Sequence, residues 1–341
     1  MEGFVLISGE APELALAELE GALTATGGPV KVLLRYGLSA VLDGLPPEGL
    51  AERLGFSHFT GILDMTTGPG LDEIIEGVRT SIGLARPGHS ISWTVRASRS
   101  GTGPSPSEIF EAVDREVRTF GRKVRHREPD LKLFIIASDR TMIGRVTEAS
   151  SRSSAERRRG SKMPFNRPVI MDPRLARVLV NLSGLPPGSR VLDPFLGPAG
   201  LAIEAADLGL KVTGVEMDPR ICKGARENIE HLGLSGSVEV REGDSRRFRG
   251  YSWAENAGPF DGIITDPPFG RSAATHGNET GDLLIDVLKE VFPLLKEGAP
   301  VVVDAPDPEH IRNIPGFRQK KELSLRVHKS MTRYIGVLVK E

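Results

Sequence analysis

Asp266-Pro267-Pro268-Phe269 is the stretch best suited to chemistry; with Thr265 before it and Gly270 after, it follows the apolar run Phe260-Asp261-Gly262-Ile263-Ile264. A short β-rich run stopped by two prolines predicts a buried strand whose chain is stiffened as it leaves the sheet. Two consecutive prolines fix φ and remove two backbone donors, so the turn presents acceptors: the Asp266 carboxylate and the carbonyls around Pro267. Beside the ring of Phe269, such acceptors suit a planar group with an N–H₂ edge, a nucleobase amine or an amide. The competing reading of the tetrapeptide alone is a strand ending in a proline turn that Asp266 caps.

A second acidic set lies upstream. The strand Arg190–Leu192 runs into Asp193-Pro194-Phe195-Leu196-Gly197-Pro198-Ala199-Gly200; Glu216-Met217 follows the strand Lys211–Val215, and Asp244-Ser245 follows Val238–Arg241. A carboxylate about twenty residues after a glycine-bearing strand-to-helix turn is the arrangement that holds a ribose diol. A dinucleotide site would need Gly-x-Gly-x-x-Gly, which this loop lacks, and Pro198 removes an amide that a phosphate could use. That spacing disfavours a nicotinamide dehydrogenase. Asp193 suits an ammonium group instead, so the ligand expected is a cationic nucleoside.

These turns need strand ends to carry them. Helices are expected from Asp172-Pro173 to Leu182, over Leu201–Leu208 and over Pro219–His231, with Asp218 as the N-cap of the last. Strands and helices alternating at this spacing predict an α/β, doubly wound, Rossmann-like parallel sheet with ligands at the strands' carboxyl ends. Two strands in Ser324–Lys340, around Lys329-Ser330-Met331-Thr332-Arg333, predict a closing hairpin. The polar turn between them is as well explained by a hairpin as by a binding element.

Residues 1–66 read as β-α-β-β-α-β, with strands at Phe4–Ser8, Val30–Arg35, Leu38–Leu42 and His58–Met65 and helices at Pro12–Leu23 and Pro47–Leu54, an α+β ferredoxin-like order. A helix Leu71–Leu84, a strand Ile91–Ala97, a helix opened by Ser105-Pro106-Ser107-Glu108 and a strand Leu131–Ala137 follow. Ser150–Arg167 is rich in Ser and Arg, and such a segment is expected to bury no core.

At 341 residues the chain has room for two or three domains. One cysteine, Cys222, excludes an internal disulfide framework and points to an intracellular, cytoplasmic protein, with the thiol itself buried on a helix. The seven histidines show no ligand spacing, so no metal site is expected, and no apolar run approaches a membrane span. The net charge of −1 is uneven: residues 1–70 carry three basic and nine acidic side chains, residues 71–170 nineteen and twelve. The middle of the chain is where a polyanion would bind.

Trp93-Thr94-Val95-Arg96-Ala97-Ser98-Arg99, the helix opening at Ser107 and Val124–Asp130 together resemble a THUMP domain, an RNA-binding module of tRNA-modifying enzymes. The resemblance implies RNA contacts from Arg96, Arg99, Arg122, Lys123 and Arg125, joined by Arg157, Arg158 and Arg159 of the basic segment. The acidic loops resemble those of class I S-adenosylmethionine-dependent methyltransferases. S-adenosylmethionine would then be held by Asp193, Pro194, Phe195, Gly197, Glu216, Met217, Asp244, Ser245 and Asp266; Pro198 and Ala199 depart from the usual Asp-Pro-Phe-x-Gly-Thr-Gly. Asp/Asn-Pro-Pro-aromatic belongs to methyltransferases of exocyclic or amide nitrogens. With Met171-Asp172-Pro173-Arg174-Leu175-Ala176-Arg177 and Thr265–Ser272, the whole chain resembles the archaeal tRNA guanine-N2 methyltransferases acting at position 10, with tRNA as partner and Asp266, Pro267, Pro268 and Phe269 as catalytic residues. The organisation implied is a ferredoxin-like domain (1–66), a THUMP domain (67–149), a basic linker (150–165) and a methyltransferase domain (166–341). The rivals are methylation of another tRNA or rRNA position, of adenine-N6 or cytosine-N4 in DNA, or a non-catalytic RNA-binding protein with a vestigial cofactor fold.

Overall fold

The structure, a computed structural model, describes residues 1–97, 103–150, 152–166, 170–254, 257–268, 280–328 and 331–341. Arg99, Arg167, Phe269, Lys329 and Ser330 lie outside the described residues. Two compact units are present: residues 1–8, 29–52 and 57–150, and residues 9–28, 53–56 and 151–341.

In chain order the first 150 residues give β1 (Gly3–Ile7), α1 (Pro12–Thr26), β2 (Val32–Tyr36), β3 (Ser39–Leu42), α2 (Leu50–Arg53), β4 (Ser57–Thr67), α3 (Leu71–Gly83), β5 (Ser90–Ala97), α4 (Pro106–Thr119), β6 (Lys123–Val124), β7 (Leu131–Ala137) and β8 (Thr141–Ala149). The first unit is one eight-stranded sheet, ordered β2-β3-β1-β4-β8-β7-β5-β6. A boundary at residue 66 falls inside β4, which pairs with β1 on one side and β8 on the other. The strands expected of two separate modules therefore form a single sheet.

Alternation along the strands gives that sheet two cores. Phe4, Phe59 and Phe134 cluster on one face, the last two with centroids 4.4 Å apart. On the other, Ile74, Val78 and Ile82 of α3 and Ile109, Val113 and Val117 of α4 cover Ile91, Trp93, Leu133 and Ile135. The start of α4 follows the capping box read from the sequence, Ser105 Oγ accepting from the Glu108 amide while Glu108 Oε2 accepts from the Ser105 amide. The sequence reading had no β8, because Gly144 interrupts its pattern. The interruption has a cause: a Cβ there would come within 2.7 Å of the Phe4 ring.

α1, the first helix of the expected β-α-β-β-α-β order, packs in the second unit. Its Glu18 is fully buried and accepts hydrogen bonds from the amides of Gly55 and Phe56 and from Asn181 Nδ2. A buried carboxylate requires such partners, and they fix which unit the helix packs in.

The rest of the second unit comprises α5 (Arg152–Arg157), a 3₁₀ turn (Gly160–Lys162), α6 (Pro173–Leu182), β9 (Arg190–Asp193), α7 (Gly200–Asp207), β10 (Lys211–Glu216), α8 (Pro219–His231), β11 (Val238–Glu242), β12 (Gly262–Thr265), α9 (Thr280–Val291), β13 (Pro300–Ala305), β14 (Phe317–His328) and β15 (Met331–Lys340). Its sheet runs β11-β10-β9-β12-β13-β15-β14, parallel through β13, with β15 antiparallel to both neighbours. The chain moves outward from β9 to β11 and then returns to β12 on the other side of β9. This is the topological switch point at which such sheets bind ligands.

The segment 150–165, expected to bury no core, is in fact anchored. Arg158 Nε lies 2.5 Å from Glu204 Oε1, Arg177 Nε lies 2.8 Å from Glu204 Oε2, and Arg177 also pairs with Asp207. The Phe165 amide donates to Asn228 Oδ1, and its ring covers Gly224 where no Cβ would fit. Composition misses this because one arginine in the run meets a buried acid from α7. Glu204→Gln removes the charge on which both guanidinium groups converge; a loss of about 3–5 kcal/mol in urea unfolding is expected. A change within experimental error would show that the anchor contributes nothing to stability.

Candidate active site

Asp193 ends β9 and is 3% exposed. Its Oδ1 accepts from Thr265 Oγ1 at 2.8 Å and from the Phe195 amide at 3.2 Å. The Thr265 bond joins the carboxyl ends of the two strands that flank the switch point. Burial pushes the Asp193 carboxyl up to about 7, Thr265 and the Phe195 amide hold it back, and the charges of Asp266 and Glu216 add to the rise.

The loop after β9 curls over β10. The Leu196 amide donates to the Val215 carbonyl and the Gly197 amide to Glu216 Oε2 at 3.1 Å. Gly197 has φ +51°, and Ala199 has φ +71°, a left-handed conformation costing a non-glycine residue about 1–2 kcal/mol. The departure from the usual Gly-Thr-Gly is thus accommodated in the conformation a glycine would favour. Ser245 Oγ donates to the Pro194 carbonyl at 2.7 Å, and Asn228 Nδ2 to the Pro198 carbonyl at 3.1 Å, so Ser245 braces the loop.

Glu216 Oε1 accepts from the Asp218 amide at 2.9 Å. Its carboxyl is raised by burial, against the pull of the Asp218 and Gly197 amides. Met217 beside it is 39% exposed, an apolar surface at the strand's end. Asp218 is the N-cap of α8, accepting from the Arg220 amide. Asp244 pairs with Arg246 at 2.7 Å, which lowers its carboxyl, and its amide donates to Tyr251 Oη. Cys222 is fully buried, hydrogen-bonded to the Glu216 carbonyl, and burial raises its thiol to about 11. It is no nucleophile.

Asp193, Glu216 and Asp244 thus sit at the ends of three adjacent parallel strands, and neither Asp193 nor Glu216 has a cationic side-chain partner among the described residues. A carboxyl raised to about 7 by burial, with other carboxylates adding to the rise, fits a cation arriving from outside. That is the chemistry expected of a cationic nucleoside.

Asp266 follows β12 directly. Pro267 is buried and Pro268 half-buried, while Phe269 lies outside the described residues. Arg333 on β15 brings Nη1 to 3.4 Å from Asp266 Oδ1 and also bonds Asp304, the fully buried acid near the end of β13. Burial pushes Asp266 up to about 6, against the opposing pull of Arg333. The reading of the sequence missed Arg333 as a site residue and Asp304 altogether. The available signal was Val301-Val302-Val303-Asp304, an acid ending an apolar strand as Asp193 does.

The basic residues divide. Arg96, Lys123, Arg125 and Arg157 are exposed. Arg122 instead donates to the carbonyls of Arg86 and Ala85, and Arg159 pairs with Glu156 and Asp172. Arg158, taken above as an RNA contact, has a side chain only 8% exposed and is committed to Glu204. Its expected role is corrected to an internal anchor, since a buried guanidinium already paired offers no donor fork to a phosphate.

Residues 159–335 match the family described as UPF0020, RMKL-like, methyltransferase domain. Over 99% of its length the chain is 33% identical to 99% of the tRNA (guanine(10)-N2)-dimethyltransferase of Methanothermobacter thermautotrophicus. Over 98% it is 27% identical to 98% of the protein of the same name from Pyrococcus abyssi. Among solved structures, TrmN from Thermus thermophilus aligns over the whole of both chains with a TM-score of 0.61 at 21% identity, a likeness of fold. With its switch-point acids, its Asp-Pro-Pro turn and this full-length identity, the chain belongs to the tRNA (guanine(10)-N2)-dimethyltransferase family.

Proposed function

We propose that this protein methylates the exocyclic N2 amine of guanosine 10 in tRNA with S-adenosylmethionine as donor, giving N2-methylguanosine and, by a second transfer, N2,N2-dimethylguanosine. The observation that carries the reading is the Asp266 carboxylate at the end of β12, one residue past the Thr265 hydroxyl that holds Asp193. It puts an acceptor for an amine beside a carboxylate for a cationic cofactor.

Asp193 would hold the cofactor's ammonium group, Glu216 its ribose hydroxyls, Met217 the face of its adenine and Asp244 the adenine edge. The cofactor supplies an already activated methyl group, so the protein's task is alignment. The guanine N2 lone pair is delocalised into the ring, which makes the free amine a poor nucleophile. Asp266 and the Pro267 carbonyl accept the N2 hydrogens, favour a more tetrahedral nitrogen and aim its lone pair. The base must leave its helix to be reached, and Phe269 is the residue proposed to stack on it. Residues 67–149 are proposed as a THUMP-type RNA-binding region, with Arg96, Lys123, Arg125 and Arg157 as phosphate contacts.

Incubating the protein with labelled S-adenosylmethionine and an unmodified tRNA transcript, then analysing nucleosides, tests the reaction. N2-methylated guanosine is expected, and a methylated adenosine, cytidine or uridine instead would overturn it. The Lys123→Glu, Arg125→Glu double variant is expected to weaken tRNA binding and to flatten the slope of log affinity against log salt by roughly two. An unchanged slope would remove both residues from the interface.

A further inference from the structure

At the same carboxyl end of the sheet as the cofactor acids, on the β12–β13 side of the switch point, lies a charge cluster of which the proposed chemistry uses only Asp266. Arg333 Nη1 contacts two carboxylates on two different strands, Asp304 near the end of β13 and Asp266 just beyond β12. Asp304 is fully buried, and among the described residues its Oδ1 has no hydrogen-bond donor. The Arg333 side chain is 15% exposed and that of Asp266 23%, so only Asp266 of the two acids reaches the outside. A buried carboxylate left half-satisfied is costly and has no need to be there if the cluster serves packing alone.

We propose that Arg333, anchored on Asp304, is a positioning residue that fixes the orientation of Asp266 and sets how strongly that carboxylate holds a proton. The inference rests on the amine-methylation reading above. In the step it serves, the amine nitrogen bonds to the methyl carbon as the carbon–sulfur bond breaks with its electron pair left on sulfur. The proton lost from nitrogen goes to Asp266 and from there to solvent. For this Asp266 must be charged before transfer and basic enough to accept afterwards.

Arg333 alone would hold it strongly charged but a poor base. Asp304 shares the guanidinium and fixes its place, so the two acids' tendencies to hold a proton are linked and Asp266, the lower of the two, ionises first. The directions agree: burial raises both acids, to about 6 for Asp266 and about 8 for Asp304, and Arg333 opposes the rise in each. Asp193 lies across Thr265 with Glu216 behind it. The 3₁₀ turn Pro308–Ile311, packed on β13 and β15, directs Glu309 to Arg312 and His310 toward Gly281.

The test is the pH dependence of single-turnover methyl transfer to unmodified tRNA transcript, at saturating cofactor, for the full-length wild type, Arg333→Gln, Arg333→Lys, Asp304→Asn and Asp304→Ala. The wild-type rate is expected to rise with pH through an inflection near 6, the value to which Asp266 is raised. Loss of the cation in Arg333→Gln moves that inflection upward by about one to three units, because an opposite charge at this range lowers a carboxyl by that much. Arg333→Lys keeps the charge and returns the inflection toward wild type. Asp304→Asn, neutral as Asp304 itself is near pH 6, leaves that inflection in place; Asp304→Ala also removes the anchor, frees the guanidinium from Asp266 and moves the inflection upward, which decides the matter if Arg333→Gln does not fold. Variants that lower the rate equally at every pH would overturn the inference and leave Arg333 a scaffold residue. Absence of transfer by the wild type would instead overturn the methylation reading on which it rests.

Discussion

Asp266→Ala is expected to reduce the methyl-transfer rate about 10²–10⁴-fold, the range over which a positioned acid or base acts, with the cofactor still bound. Alanine removes the acceptor that orients the amine and the group that takes its proton, and leaves the Arg333–Asp304 pair in place. It also removes one of the charges that raise Asp193, so cofactor affinity near neutral pH should hold or improve slightly. Asp266→Asn separates the two roles, since an amide oxygen still accepts a hydrogen bond but takes up no proton. Full activity in that variant would assign orientation alone to the residue. Near-normal turnover by Asp266→Ala would remove it from the mechanism.

The second large effect concerns cofactor binding and pH. Asp193 is held protonated up to about 7 by burial and by the neighbouring acids. A cationic ligand needs the charged carboxylate, so binding below that value must release a proton. The dissociation constant should therefore rise about fivefold between pH 7 and pH 6, approach tenfold per unit below that and be flat above 8, the limiting slope being the 1.36 kcal/mol per pH unit of a linked proton. Calorimetry in buffers of different ionisation heat would count the proton.

Stability carries the opposite sign. A carboxyl raised in the folded state stabilises the fold at acid pH, and that contribution is lost as pH rises through about 7, so the ligand-free protein should melt lower at pH 8 than at pH 6 if Asp193 dominates. Added S-adenosylmethionine should then raise the melting temperature more at pH 8. Asp193→Asn should abolish the pH dependence and weaken binding about 10–150-fold, the worth of a hydrogen bond to a charged group. A dissociation constant independent of pH in the wild type would mean that the ammonium group is held elsewhere.

What could be read in advance was what local pattern encodes. The Asp-Pro-Pro turn, the Asp193 loop, the caps at Ser105, Asp172 and Asp218 and the closing hairpin each lie within a few consecutive residues, and each stands where its chemistry placed it. What escaped depends on which distant elements meet. Arg333 reads as part of a polar hairpin turn until β15 pairs antiparallel with β13, Asp304 opposite Ile335, and brings it to two acids 29 and 67 residues away. Arg158 reads as one more cation in a basic run until Glu204 is found beneath it. Glu18 reads as an ordinary helix-surface acid, yet the amides of residues 55 and 56 make it the reason α1 packs with the second unit. In each case the deciding fact is burial of a charge, which depends on the partner and not on the neighbours in sequence.

The most direct measurement uses two tRNA transcripts that differ in one group, guanosine or inosine at position 10, inosine lacking only the 2-amino group. Both are incubated with labelled S-adenosylmethionine and the wild-type protein, and binding and methyl incorporation are measured for each. The account predicts comparable binding, with N2-methylated guanosine formed in the first transcript and no incorporation in the second. Equal incorporation into both would contradict it, because the methyl group would then be going to another atom or another nucleotide.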